Sequence, residues 1–306
     1  MFEVTFLGTA ASRPTAERGV AGLMVFHGTE RFLVDCGEGT QRQLARAQIG
    51  HRRLNRIFLT HGHLDHILGL AGLVASISEA NYESQLTIYG PAEAVRLAKR
   101  LLDDIVLPEA GQAAEIAYVV LESGETVVGE AVEVHCIAVP HRDADCLAYC
   151  FEEKPRRHFD VAAAERLGVE EGPERQALTR GENVARADGT VIFPDDVLGP
   201  PRPAARLAVV GDIGDTSGLV EFTTGVDALI IEATYLSSEV EKARHYGHLT
   251  AQDAAEFAGR TGARALYLTH ISNRYTGPEI LAEARASYPA AVVAEDLLHI
   301  EVAHTG

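Results

Sequence analysis

No apolar run in this 306-residue sequence is long enough to cross a membrane. Its first residues, MFEVTFLGTA, contain no basic stretch ahead of an apolar one and read directly as a strand, so no signal peptide is expected. Cysteine is scarce. Cys36, Cys136, Cys146 and Cys150 fall at no zinc-knuckle spacing, and the last two are too far apart for a CxxC redox pair. They read as reduced, structural residues in a cytoplasmic protein. Cations are in the minority: 27 Lys and Arg against 44 Asp and Glu give a formal charge of −17. That balance speaks against a large phosphate-binding face, because counterion release needs clustered Lys and Arg. A metal site would offset part of it, since carboxylate ligands are neutralised when a cation binds.

What is present is a globular composition, 46% apolar and 23% charged. The length permits a large core without disulfide staples, within a single α/β-sized unit over residues 1–306. Short alternating runs at 2–7, 23–26 and 31–35, split by Gly-containing turns, predict an antiparallel meander. A helix is expected over 40–49, a strand over 56–60, a helix over 67–80, a strand over 85–89 and a helix over 91–102. Strands near 114–121 and 131–139 close this half. The same rhythm resumes with strands at 206–210, 228–231 and 265–268, helices at 250–261 and 278–287, and strands at 292–294 and 299–302. Strands alternating with helices in both halves predict an α+β fold, an αββα sandwich of two mixed sheets with outer helices.

Residues 152–205 break the rhythm. Stretches such as EEKPRRHFD and DDVLGPPRPAAR are rich in Pro, Gly and charge and poor in core-forming periodicity. Such an insertion is either a solvated surface excursion or a functional one.

The chemistry concentrates at strand ends. The apolar run 56–60 ends in HGHLDH, where His61 and His63 are spaced to share one metal and Asp65 and His66 are presented to a second. Zinc suits this mixture of nitrogen and carboxylate ligands. His141, Asp212 and His270 each follow a separate apolar strand in the same manner, and Asp212 has two oxygens with which to bridge two ions. Asp35 also ends a strand; it either orients a ligand histidine through that ring's free N–H or serves a structural turn.

Together, HxHxDH and the distant His141, Asp212 and His270 resemble the metallo-β-lactamase superfamily. Three further stretches resemble its ribonuclease Z family: FLGTA with Pro14 and Arg18, IEATY at 231–235 followed by YGHLT at 246–250, and THISNRY at 269–275. The likeness runs essentially end to end, and 152–205 looks like that family's flexible arm, or exosite. Two places depart from it. The chain has Gly211-Asp212-Ile213-Gly214-Asp215-Thr216 where the family commonly has Gly-Asp-Thr-Arg, and Gly19-Val20-Ala21-Gly22 where Asn and Ser are usual.

The resemblance implies a zinc-dependent endoribonuclease that removes 3′ trailers from tRNA precursors, with an arm that grips the tRNA elbow, often across a homodimer. It implies two Zn2+ per subunit, Mn2+ or another divalent ion being the alternative. One would be held by His61, His63 and His141, the other by Asp65, His66 and His270, with Asp212 bridging. Asp65 would help activate the attacking water, and His248, supported by Glu232, would assist the departing 3′ oxygen. Ser272 and Arg274 would sit near the scissile phosphate. The alternative on the same dinuclear scaffold is a general phosphodiesterase or a small-molecule hydrolase such as a lactonase or thioesterase.

Overall fold

A computed structural model describes residues 1–79, 85–108, 115–186 and 188–304. The expected helix end at Ala80 and strand start at Ala114 lie outside the described residues. The chain divides into two compact units, one formed by Met1–Glu153 with the segment from Ala205 onward, the other by Lys154–Ala204. No helix among the described residues is long and apolar enough to cross a membrane.

The larger unit holds two seven-stranded sheets among the described residues. The first contains β1 (Phe2–Gly8), β2 (Gly22–His27), β3 (Glu30–Cys36), β4 (Arg56–Phe58), β5 (Leu86–Gly90), β6 (Ile116–Val120) and β18 (His299–Val302), in the order β18-β1-β2-β3-β4-β5-β6. The second contains β7 (Thr126–Val128), β8 (Val132–Ala138), β9 (Leu147–Glu153), β14 (Arg206–Val210), β15 (Ala228–Glu232), β16 (Leu266–Thr269) and β17 (Val292–Val293), in the order β17-β16-β15-β14-β9-β8-β7. Each sheet is antiparallel on one side and parallel on the other: β3 to β6 run parallel, as do β14 to β17.

Period-two alternation explains the layering. Along β14, Leu207 and Val209 enter the core between the sheets, whereas Ala208 and Val210 face the helices. Phe32 and Val34 of β3 face inward while Leu33 faces outward. The inner core centres on Phe58, stacked on Tyr89 at a centroid distance of 4.8 Å and edge-on to Tyr149 of the opposite sheet at 5.3 Å. Helices α1 (Thr40–Arg46), α2 (Leu64–Ile67), α3 (Gly69–Glu79) and α4 (Ala92–Leu101) lie in the first half of the chain. Side chains of α1, α3 and α4 complete an outer cluster with the first sheet. In the second half come α7 (Val220–Thr223), α8 (Val240–Tyr246), α9 (Ala251–Thr261) and α10 (Gly277–Ser287), of which α9 and α10 cover the second sheet. Capping boxes at Thr250/Asp253 and Thr276/Glu279 set the starts of α9 and α10. The expected sandwich is the observed one.

Two boundaries differ from expectation for a reason that matters at the site. Strand β4 stops at Phe58 rather than Thr60 because the next two carbonyls turn to the other sheet. Leu59 O accepts from the Tyr149 hydroxyl at 2.6 Å and Thr60 O from Leu147 N at 2.8 Å. Helix α2 starts at Leu64, not near Ile67, so Asp65 and His66 lie on its single turn. That turn comes close to the end of β3: a Cβ at Gly37 would meet Asp65 O at 2.2 Å, so only glycine fits there.

The smaller unit was not expected to have a core of its own, yet it does. Strands β10 (Arg156–Phe159) and β13 (Leu198–Arg202) pair, as do β11 (Val184–Ala185) and β12 (Val191–Ile192), beside helices α5 (Val161–Arg166) and α6 (Pro173–Thr179). Ala163, Ala164, Val169, Leu178, Ile192, Val197 and Leu198 form its apolar cluster. These residues are spread thinly over 36 positions between charges and turns, which hides the periodicity. Several arginines of this unit are turned to its own backbone. Arg157 donates to the carbonyls of Gly199 and Leu198, Arg175 to Val169 O, and Arg186 to Leu167 O.

Candidate metal centre

The carboxyl ends of the parallel strands of both sheets converge, and this is where loops of such sheets place ligands. Asp35 is the penultimate residue of β3, His61 follows β4, Asp212 follows β14, Glu232 ends β15 and His270 follows β16. His141 follows β8, which runs in the same direction as β14 because both are antiparallel to β9.

Three overlapping groups of side chains arise there: His61, His63, His141 and Asp212; Asp65, His66 and His270; and Asp212, His248 and His270. Within each group the ligand atoms lie within 4.8 Å of one another. Asp212 stands at the centre. Its Oδ2 is 3.7 Å from His61 Nε2 and 3.6 Å from His141 Nε2, and its Oδ1 is 3.5 Å from His66 Nε2 and 3.2 Å from His270 Nε2. Asp65 Oδ2 lies 3.7 Å from His66 Nε2 and 3.5 Å from His270 Nε2, and accepts the backbone N–H of Ser12 at 2.9 Å.

Partners behind the rings fix which nitrogen faces inward. His66 Nδ1 bonds to Asp35 Oδ2 at 2.8 Å, His141 Nδ1 to Gly247 O at 2.6 Å, and His270 Nδ1 to Thr234 Oγ1 at 2.9 Å. Asp35 also accepts Thr60 N and Thr60 Oγ1, both at 2.8 Å, and His61 Nδ1 faces the same hydroxyl at 3.1 Å. The Nε2 atoms of His61, His66 and His270 and Oδ1 of Asp212 are left buried with no hydrogen-bond partner among the described residues. Buried polar atoms without partners are costly. Four aimed at one space, from nitrogen and carboxylate donors, fit divalent cations. The backbone is also held against its preference at two ligand-bearing strand exits: Asp35 and His270 both have φ of 55°, left-handed values that non-glycine residues avoid.

The charges agree with this arrangement. Burial, then the neighbouring His66, pushes His61 well below its ordinary value, so the ring is neutral and free to ligate. Burial and His141 lower His63 likewise. Asp65 and Asp212 are held well below the usual carboxylate range: burial opposes this, but His270 and His66 outweigh it in both. For His66, Asp35 and Asp212 overcome burial and hold a second proton, with which an entering cation competes.

Beside the cluster sits His248, its side chain 10% exposed and lining the hollow. Its Nδ1 bonds to the fully buried Glu232 at 2.9 Å. Burial works against the charged ring, but Glu232 prevails and pushes its pKa up to about 9. Glu232 is itself held by Ile213 N at 2.8 Å, Leu249 N at 3.3 Å and the Thr234 hydroxyl. Thr234 thereby connects His270 to the Glu232–His248 pair. The sequence reading did not single it out, although it stands two residues beyond Glu232 in IEATY, on the same strand exit. Ser272 and Arg274 line the same hollow of about 460 Å³ as His63, Asp65, Asp212 and His248.

Residues 15–155 match the family model described as the metallo-beta-lactamase superfamily. A ribonuclease Z from Bradyrhizobium diazoefficiens is 43% identical over 99% of this chain and 100% of its own length. The chain belongs to the ribonuclease Z family. A second ribonuclease Z, from the archaeon Methanothermobacter thermautotrophicus, is 37% identical over 99% of this chain and 97% of its own. Among solved structures, the short form of human tRNase Z matches at a TM-score of 0.68 and 26% identity, covering 99% of this chain and 100% of that one. This ribonuclease Z family member carries its His and Asp cluster where exits of its two sheets meet, and it is a metal-dependent hydrolase.

Proposed function

We propose that this protein is an endoribonuclease that removes the 3′ trailer from tRNA precursors and leaves a 3′-hydroxyl on the tRNA, using two zinc ions per subunit. The observation that carries the reading is the His248–Glu232 pair set beside two fused ligand groups. Membership of the ribonuclease Z family supplies the substrate class. His61, His63, His141 and one Asp212 oxygen would hold one ion; Asp65, His66, His270 and the other Asp212 oxygen would hold the second. Mn2+ or another divalent ion is the alternative occupant, since availability competes with affinity order. When bound, such ions supply Lewis acidity and a nucleophile at neutral pH.

The chain's own groups do the rest. Asp65, fixed by Ser12 N–H, takes the proton of the attacking water. His248 keeps its Nδ1 proton on Glu232 and gives the Nε2 proton to the 3′ oxygen as the P–O3′ bond breaks. Ser272 and Arg274 contact the scissile phosphate. Asp35 orients His66. The Lys154–Ala204 unit is the arm that grips the tRNA. The active species is a homodimer working in the cytoplasm, where the four cysteines, all free and buried, stay reduced.

The test is to incubate purified, metal-loaded protein with a precursor tRNA bearing a 3′ trailer, with bis(p-nitrophenyl) phosphate in parallel. Release of the trailer from a tRNA ending in a 3′-hydroxyl is expected. Hydrolysis of the small diester without any processing of the precursor would replace this reading with that of a general phosphodiesterase.

A further inference from the structure

Four cations line the hollow that holds His248: Arg13, Arg142, Lys242 and Arg274. They are not equally free to meet a phosphate. Glu239 engages two of them, lying 3.6 Å from Arg274 Nε and in direct contact with Lys242. Among the described residues, no carboxylate lies within ion-pair distance of Arg13 or Arg142.

Arg142 differs from Arg13 in position. A second hollow, of about 610 Å³, adjoins the first, and among the residues lining both only His63 and Arg142 recur. His63 belongs to the ligand cluster. Arg142 therefore stands at the boundary between the two spaces, beside the hollow that holds the ligand cluster and His248. Its backbone is held in the left-handed region, at φ of 50°, in a tight turn closed by Ala144 N to His141 O at 2.9 Å. Its guanidinium lies over the Tyr246 ring, 5.8 Å from the centroid. Gly247 lies against it on that side: a Cβ there would meet Arg142 Cγ at 2.8 Å. An exposed arginine is thus braced by a turn, a ring and a glycine, with no carboxylate among the described residues within ion-pair distance.

The second hollow is otherwise hostile to phosphate. Glu93, Asp143 and Asp145 line it, and Arg142 is its one Arg or Lys among the described residues. A phosphate is stabilised at its mouth and repelled deeper in. His248, which serves the departing 3′ oxygen, lines only the first hollow, so the tRNA end occupies that side. The strand on the other side of the scissile bond is the trailer.

Building on the ribonuclease reading, we propose that Arg142 is a specificity residue that binds the first trailer phosphate beyond the scissile one. Trailer recognition then extends over one internucleotide phosphate and no further. A one-nucleotide trailer has no such phosphate; every longer trailer has it.

The experiment compares wild type, Arg142→Ala and Arg142→Lys on precursors with trailers of one, two and about ten nucleotides. For the wild type, kcat/KM should rise from one nucleotide to two and then level off. Arg142→Ala should raise KM about tenfold on the longer trailers, the scale of a lost charge-assisted contact, and remove the difference between one and two nucleotides. The salt dependence of KM on the longer trailers should weaken by about 0.7 in log–log slope, one single-strand phosphate contact. Arg142→Lys should recover part of both. An equal effect of Arg142→Ala on all three trailers, or an unchanged salt slope, would overturn the assignment. Wild-type protein that cleaves none of the precursors would instead overturn the ribonuclease reading, so the two failures are distinguishable.

Discussion

Replacing Thr234 by valine isolates the link between the ligand cluster and the proton donor. The two side chains have nearly the same shape, so the change removes a hydroxyl and leaves no cavity. Three contacts go with it: the acceptor of His270 Nδ1 at 2.9 Å, and the one O–H shared between Glu232 Oε2 and His270 O, the latter at 3.0 Å. Both partners are buried, at 4% and 0% exposure, so water cannot replace what is lost. Stranding the His270 N–H costs about 1–3 kcal/mol. Glu232 keeps Ile213 N, Leu249 N and His248, so its loss falls at the low end of that range. The metal-free protein should therefore lose about 2–4 kcal/mol by urea unfolding. With His270 no longer fixed in the tautomer that exposes Nε2, the ion it serves should bind 10–100-fold more weakly, the usual effect of removing such a supporting partner. The ion on His61, His63 and His141 should be much less affected. Competitive zinc titration with a chelator resolves the two sites. Two unchanged affinities, or an equal loss at both, would refute this account of Thr234.

His248→Ala should keep both ions by elemental analysis yet lose about 10²–10⁴ in turnover on precursor tRNA, the range for a general acid; loss of metal would instead make His248 a ligand. Glu232 holds the His248 proton against rising pH, the pKa being raised to about 9 with no cation bound. The donor is therefore loaded at neutral pH and lost as pH climbs through that value, which bound cations shift downward. Glu232→Gln should move the alkaline limb of kcat to lower pH, and an unmoved limb would rule the pair out as the proton source. Replacing residues 155–200 by a short Gly-Ser linker should weaken precursor binding while sparing bis(p-nitrophenyl) phosphate hydrolysis, because the removed cluster is composed of the unit's own residues. Equal loss of both activities would make the unit structural. Phe58→Ala empties the centre of the ring cluster between the sheets and should cost about 3–5 kcal/mol in chemical denaturation. A loss below 1 kcal/mol would show that the core collapses around it.

His61, His141 and His270 were legible because each stands just past an apolar run, and strands that share a direction, neighbours or not, deliver their exits to one edge. HGHLDH added the second clue, a density of imidazoles with no packing use. Strand β9 was not legible. Leu147 to Phe151 are buried on both faces, so the segment shows no alternation, and it abuts a charged insertion. Helix α8 was missed because VEKARHY buries only Ala243 and so carries almost no apolar stripe. Thr234 escaped because its role depends on His270, 36 positions away, and a threonine after a strand is ordinary by itself. The small unit's core was obscured in another way. Arg157, Arg175 and Arg186 brace carbonyls of the same unit, contacts that composition does not reveal.

Asp35 and His270 both leave their strands in a backbone state suited to glycine or asparagine. Each such residue costs roughly 1–3 kcal/mol, a burden placed on the folded state by the very positions that orient or present a ligand. Gln48 and Leu297 carry the same backbone state away from the centre, so selection for thermal tolerance alone would find its gains there, whereas Asp35 is held by the three hydrogen bonds it accepts from Thr60 and His66. A library sorted only for heat resistance should be enriched in Gly or Asn at 48 and 297, and not at 35. Strain at 35 and 270 is thus tied to the centre's geometry, while strain at 48 and 297 is open to removal without touching a ligand.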